Sequence, residues 1–422
     1  MTNNPKITII GAGPAGATAA LRLAGFNIPS LLIDKSAFPR SKVCGDGVSG
    51  KVIWALNQID PNLTSSFRNN HEIKANSQGI RIGFSNGKVL QTIFPENVHH
   101  PVMQNTNPSA FICPRIYFDD FLIRQIRIHN EITFLERTPI TSIRRTKEGF
   151  TLQDTFGRTV AHTSLLLLAD GAASIFLREY GSLKVPANKQ FATIRAYYRG
   201  VSGLDKRNIL ELHFLKELTP GYFWIFPEPG GTVNTGIAIR KSVLRRKKIN
   251  LNQKLHNIIN HHPRFRDRFV DSEPVNLPRG GLLPFSGARH SISGSHFLLL
   301  GDAAHLADPF SGEGIGNAMI SGVFAAETAA TCLAENDFSE NRLLAYDNKV
   351  FQRLIPEYYA AGQLHKLMSH PWLTNALLKM IPDSRLSALI MDIYQNPELR
   401  AKAFDPRFLS SKVLKKLWPK MA

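Results

Sequence analysis

The sequence predicts an α/β fold in which a parallel, Rossmann-like layer is interleaved with a largely antiparallel sheet and followed by a helical C-terminal region. Three observations carry that prediction. A short apolar run, KITII at 6–10, leads straight into the glycine turn GAGPAG at 11–16 and then into an alanine-rich stretch. Two further apolar runs, LLLLADG at 165–171 and FLLLGD at 297–302, read as buried strands that each end at an acidic residue beside a glycine. Between them, GYFWIFP at 221–227 alternates its aromatics with the period of two that a strand imposes.

The first element in the chain is also the most informative. Residues 6–35 read as strand, turn, helix and second strand, ending at Asp34 and Lys35. In the turn Gly11, Ala12, Gly13, Pro14, Ala15, Gly16, each glycine has its own task. Gly11 permits the tight turn, Gly13 lets a pyrophosphate approach the backbone, and Gly16 lets helix and strand pack closely. The helix that follows offers free amides and a positive dipole end to phosphates. Asp34 stands where an acid would accept hydrogen bonds from the adenosine ribose. No second glycine fingerprint occurs downstream, so a separate nicotinamide domain is not expected.

Further along, CPRIYFDDFL at 113–122 reads as a helix on which Arg115 can pair with Asp119 at the surface. Asp170 and Gly171 end one buried strand, and Gly301 and Asp302 end the next. The turn at 312–314, with Gly312 and Gly314, opens a helix at Ile315 that runs to about residue 335. The stretch 356–394 has apolar residues at helical spacing, interrupted by Pro371 and Pro382. It either lines a tunnel for a long lipid tail or closes the core.

Composition narrows the partners. A chain of 422 residues, 43% hydrophobic and 20% charged, is globular and long enough for two or three domains. The net charge of +18 favours acidic partners: anionic lipid, phosphorylated substrates or nucleic acid. No zinc-finger, homeodomain or RNA-module signature accompanies it, which makes nucleic acid the weaker reading. Basic residues concentrate in RKSVLRRKK at 240–248 and SSKVLKKLWPK at 410–420. As a helix, the tail sets Leu409, Val413, Leu414, Leu417 and Trp418 against Lys412, Lys415 and Lys416. That is the pattern of a helix lying on an anionic membrane surface, or of one docked on the core with a solvated basic face. Cys44, Cys113 and Cys332 have neither metal nor disulfide spacing, and His99-His100 and His261-His262 have no ligand spacing, so no metal is expected. No apolar run reaches the length of a membrane span, and the N-terminus lacks a basic start and cleavage site. A reduced, cytoplasmic chain is expected, peripheral to the inner face of the membrane if its tail binds there.

The early GxGxxG, the mid-chain Asp-Gly and the late Gly-Asp together resemble the para-hydroxybenzoate hydroxylase-like flavoprotein fold, in which a single FAD lies extended. Three local sequences are similar to the geranylgeranyl reductase family of FAD-dependent oxidoreductases. SKVCGDG at 41–47 resembles its K-x-C-G-G loop, with Asp46 in place of the second glycine. LTPGYFWIFPEPGGTVNTGIA at 218–238 resembles its P-x-x-Y-x-W-x-F-P motif and following glycine hairpin. SGEGI at 311–315 matches its flavin turn. The resemblance implies a discontinuous FAD-binding domain (1–75, 105–185 and 285–340), a substrate sheet (76–104 and 186–284) and a helical region (341–422). It implies FAD contacts at the 11–16 turn, Asp34, Lys35, Cys44, Gly45, Arg115, Asp170, Gly171, Gly301, Asp302, Gly312, Gly314 and Ile315.

The reaction implied is reduction of carbon–carbon double bonds in an isoprenoid or similar apolar lipid. Hydride would come from reduced flavin N5, and a proton from a group still to be found. Tyr222, Trp224 and Phe226 would line the substrate, with Tyr222, Trp224 and Cys44 as the catalytic candidates. Cys44 is equally readable as a small core residue, and His305 as a hydrogen-bonding residue beside the flavin loop. The external reductant would be NAD(P)H or ferredoxin, neither of which leaves a motif. A flavin monooxygenase acting on an aromatic or polyketide is the alternative, on the GDAAH segment at 301–305. Tyr222-x-Trp224-x-Phe226-Pro227 also approaches the flavin halogenase W-x-W-x-I-P, with Lys74 as that reading's tunnel lysine. A lipid carrier without turnover is the third class.

Overall fold

The computed structural model describes residues 5–94, 110–180, 189–380, 382–384 and 387. Its parallel sheet forms where the sequence is most continuously apolar. Ile7–Ile10, Ser30–Ile33 and Leu165–Leu168 are buried at every position, as strands covered on both faces must be. The six strands run in the order Ser293–Gly294, Phe297–Leu299, Leu165–Leu168, Ile7–Ile10, Ser30–Ile33, Ile132–Leu135. All are parallel except the first, an antiparallel edge. Ile9 sits between Leu167 and Leu32, so the glycine turn leaves the sheet at its centre.

Two helices cover one another over this sheet. Pro14–Ala24 starts with proline in its first turn, where no intrahelical N–H is lost, and packs along Ile315–Glu335. Their approach depends on Gly322: a Cβ there would lie 2.5 Å from the Ala15 carbonyl oxygen. The next helix, Glu340–Met368, closes the same core with Leu343, Val350, Phe351 and Leu354. Its buried Tyr346 hydroxyl donates to the Leu299 carbonyl at 2.8 Å and Tyr358 to the Leu306 carbonyl at 2.7 Å. Within the stretch 356–394, Tyr358, Ala360 and Ala361 are buried, while His365 and Met368 line a crevice.

The second large sheet is built mainly from the stretch after residue 189. Its order is Glu273–Pro274, Gln190–Arg199, Thr232–Arg240, Gly221–Pro227, Leu210–His213, Gly79–Gly83, Val89–Ile93, with Arg279–Pro284 also pairing to Gln190–Arg199. It is antiparallel except where Leu210–His213 runs beside Gly79–Gly83. The alternation in GYFWIFP separates its side chains as a strand must. Tyr222, Trp224 and Phe226 join Phe191, Phe285 and Phe310 on one face. Phe223 and Ile225 pack with Phe265 and Ile258 on the other, beneath the helix Leu251–His261.

Arg240, at the start of the basic run, is buried rather than solvated. Its guanidinium lies 4.1 Å from the Phe285 ring centroid and donates to the Pro309 carbonyl at 2.9 Å. The basic tail at 410–420 and His99-His100 lie outside the described residues. Among the described residues no helix is long and apolar enough to cross a membrane.

Candidate active site

The glycine turn is shaped by close contacts at two positions and by open space at a third. Gly11 has φ +98°, and a Cβ there would lie 2.3 Å from the Ala169 carbonyl oxygen. A Cβ at Gly16 would lie 1.9 Å from the Gly11 carbonyl oxygen. At Gly13, by contrast, a Cβ would meet within 4 Å only the guanidinium of Arg40, at 3.7 Å. The helix beginning at Pro14 has no side-chain cap, so its first amides face that opening with Arg40 beside them. Sequence reasoning missed Arg40, because only the return of the 34–40 loop over the turn brings it there.

Asp34 braces the turn from the end of the second strand. Its carboxylate accepts from the Ala12 N–H and the Ser36 N–H, each at 2.8 Å, which leaves each oxygen further lone pairs. Lys35 beside it is exposed. Arg115 pairs with Asp119 through two bonds of 2.7 and 2.8 Å, and both residues are buried, so the expected surface pair is an interior one. Asp119 also lies 3.2 Å from Arg40. One oxygen of Asp170 accepts from the Ile175 N–H, and the other is buried with no partner; Gly171, at φ +83°, faces open space.

At the same carboxyl end of the sheet, Gly301 (φ +56°) fits between Ala15 and Ala318, where the helices Pro14–Ala24 and Ile315–Glu335 cross. Burial raises the pKa of Asp302, against the pull of Lys42 and Arg115. The helix starting at Ile315 is also uncapped by any side chain, with Gly314 at its N-cap and Gly312 at φ +72° before it. His305 is pushed down to about 4 by burial and by His290, so it is neutral, and its N–H closes the turn on the Asp302 carbonyl. Two uncapped helix N-termini, an opening at Gly13 flanked by a cation, and an orphaned acid oxygen fit an extended dinucleotide.

The aromatic face stands against this region. The Tyr222 hydroxyl donates to the Ser311 carbonyl and lies 3.4 Å from the Cβ position of Gly312. A Cβ at Gly45 would meet Phe226 at 3.5 Å and Trp224 at 3.7 Å, so the 41–47 loop covers the other end of the wall. Trp224, Asn234, Cys44 and Asp46 are then locked together. The Trp224 indole N–H donates to Asn234 Oδ1 at 2.9 Å, while Asn234 Nδ2 donates to the Cys44 carbonyl at 3.0 Å and to Asp46 Oδ2 at 2.7 Å. Tyr197 donates to the same Asp46 oxygen at 2.5 Å. Asp46 has φ +61°, a conformation the usual glycine adopts freely; here the side-chain bonds hold it. The sequence signal was the departure from the K-x-C-G-G pattern, but nothing in the sequence predicted its partners.

Burial pushes the Cys44 thiol up to about 11, with the Asp46 charge adding to the effect, so it is a protonated thiol at neutral pH. Burial likewise raises Tyr222 above the usual phenol range. A narrow crevice beside Tyr222 is lined by Phe191, Phe214, Phe310, His365 and Met368. Lys74 lies away from it, with its ammonium over the rings of Phe67 and Phe111 and bonded to Asn76 Oδ1 at 2.7 Å.

Fold and site together fit a protein that binds an extended FAD. No protein-family model matches the chain. A digeranylgeranylglycerophospholipid reductase from Thermoplasma acidophilum is 26% identical over 391 residues, covering 91% of this chain and 90% of that protein. A menaquinone reductase from Mycolicibacterium smegmatis is 28% identical over 373 residues, covering 86% and 83%. Among solved structures, a geranylgeranyl bacteriochlorophyll reductase-like protein from Thermoplasma acidophilum superposes with a TM-score of 0.76 at 21% identity, over 99% of this chain and 100% of that one. A flavin-dependent brominase variant gives 0.75 at 18% identity, over 96% and 99%, which speaks to the fold alone. The chain is an oxidoreductase whose sequence is similar to these prenyl-lipid and menaquinone reductases.

Proposed function

We propose that this protein reduces carbon–carbon double bonds in an isoprenoid, geranylgeranyl-type, or other apolar lipid. The observation that carries the reading is the aromatic face Tyr222–Trp224–Phe226, held between the 311–315 turn and the Cys44 loop. FAD, when bound and reduced, supplies the hydride. The chain's own residues do the rest. The 11–16 turn, Asp34, Lys35, Arg115, Asp170, Gly171, Gly301, Asp302 and the 312–315 turn hold the cofactor, with Arg40 beside the pyrophosphate. An isolated alkene has no carbonyl to take up charge, so the transition state carries cationic character at the more substituted carbon. The faces of Trp224 and Tyr222 stabilise that charge through their quadrupoles and exclude water. Cys44, kept as a thiol, holds a proton at the wall's edge.

The external reductant is NAD(P)H or ferredoxin. The basic tail would bring the chain to an anionic membrane surface on the cytoplasmic side, where an apolar lipid resides.

The test is anaerobic. Reduced flavoprotein mixed with a geranylgeranyl lipid is expected to reoxidise as the lipid gains two hydrogens by mass. If every prenyl lipid leaves the flavin reduced, while air and an aromatic acceptor give an oxygenated product, the protein is a monooxygenase instead.

A further inference from the structure

Asp46 and Glu228 meet at the end of the aromatic wall: Asp46 accepts from Asn234 and Glu228 from Thr232, two residues apart on the strand Thr232–Arg240. Asp46 is wholly buried in the Cys44 loop, and Glu228, directly after the strand Gly221–Pro227, is 8% exposed. The two carboxyl groups are within hydrogen-bonding reach of each other. Each has fixed partners elsewhere. Asp46 accepts from Tyr197, Asn234 and the Arg115 N–H, the last at 3.2 Å, while Glu228 Oε2 accepts from Thr232 Oγ1 at 3.2 Å. Glu228 Oε1 is buried, and no donor among the described residues reaches it. Two touching carboxylates in a buried site cannot both ionise, and a proton between them satisfies that remaining oxygen.

The pair has a wet side and a dry side. Glu228 lines an open cavity of about 690 Å3 with His71, Lys74, Asp205 and Lys206. On the dry side, the Asp46 N–H donates to Cys44 Sγ at 3.3 Å, next to Trp224. The Arg195 charge pulls both carboxyls down, but burial outweighs it. Arg115 is engaged by Asp119, and Arg195 stacks over the Tyr197 ring at 4.0 Å and donates to the Lys42 carbonyl. Among the described residues, Cys113 and Tyr197 also face it, each pushed up by both carboxylate charges. Burial raises both carboxyls, and the Asp46 charge raises Glu228 further, which keeps one proton in the pair at neutral pH.

We propose that Asp46 and Glu228 form a proton-sharing carboxyl pair that supplies the proton of the reduction, refilled from the open cavity through Glu228. This rests on the reductase reading. One alkene carbon gains hydride with its electron pair from reduced FAD. The other gains a proton from the Cys44 thiol as the π bond breaks. The resulting thiolate takes the proton of the pair, and the doubly ionised pair takes one back from cavity water. Neither carboxyl touches the substrate; both act through Cys44.

The experiment pairs infrared spectroscopy with single-turnover kinetics on the flavin-loaded chain and on Glu228→Gln and Asp46→Asn. The infrared difference between wild type and Glu228→Gln at neutral pH should contain a protonated-carboxyl band that titrates only on the alkaline side. Flavin reoxidation by lipid should slow about 100-fold in Glu228→Gln and acquire a larger solvent deuterium isotope effect, with flavin content unchanged. Asp46→Asn, which preserves the acceptor for Tyr197, should remove the same band. Absence of the band, or a pH profile and isotope effect identical in wild type and Glu228→Gln, would overturn the pair as proton source. A band that is present in a protein that reduces no prenyl lipid would sink the reductase reading and leave the shared proton standing.

Discussion

A single amide, Asn234, links the indole of Trp224 to the loop carrying Cys44 and Asp46, so packing and chemistry meet in one side chain. Two substitutions at Trp224 separate the roles. Trp224→Phe keeps an aromatic face but leaves Asn234 Oδ1 without its donor, which costs about 1–3 kcal/mol of stability. Trp224→Ala removes the ring as well and costs about 3–5 kcal/mol. Turnover of a short prenyl substrate should survive the first change and collapse in the second, measured below both unfolding midpoints. Equal turnover in the two variants would reduce the wall to a structural feature. The glycine turn and the aromatic alternation were legible because backbone sterics and strand period leave marks in sequence. Arg40, Asp46, Asn234 and Glu228 were not, because their roles come from partners far away in the chain.

At the scale of elements, the strand Leu210–His213 is tied to the short helix Arg266–Phe269 through Glu211. This buried carboxylate bonds to Arg268 at 2.8 and 2.9 Å and to His213 at 3.0 Å. Burial alone would raise its pKa, but the His213 and Arg268 bonds outweigh it and hold it at about 2. A folded pKa below the unfolded value gives stability above about pH 4.5 that is lost as pH falls through 2. That loss amounts to about 3 kcal/mol. Glu211→Gln should therefore be less stable at neutral pH and show a flatter acid limb in a pH series of denaturant midpoints. An acid limb as steep as wild type would show that other carboxylates set it. The strand falls within 186–284, where the family resemblance implies the substrate sheet; its tie to the helix was not legible, since the partners are separated by the whole hairpin.

Across the molecule, the two sheets meet at the proposed cofactor cleft, so ligand and fold should be thermodynamically linked. Excess FAD should raise the unfolding midpoint, by the equivalent of about 2.7 kcal/mol at a hundredfold excess over Kd. Gly13→Glu tests where that linkage resides. Gly13 has φ −73° and open space before it, so the fold tolerates the side chain, while its carboxylate faces the proposed pyrophosphate position. The variant should keep the unliganded midpoint and lose the FAD shift. An undiminished shift would place the dinucleotide elsewhere.

By itself, the sequence determined the layer architecture, the dinucleotide turn and the composition of the aromatic wall. Each is a local consequence of steric freedom at glycine, continuous apolarity or alternation. Only the tertiary structure decided what stands opposite that wall. It buried Arg115 with Asp119, turned the helix Glu340–Met368 into a lid on the core, and brought Asp46 against Glu228. The reason is physical: a buried charge is defined by its partners and its distance from water, and both are set by chain segments that sequence order keeps apart.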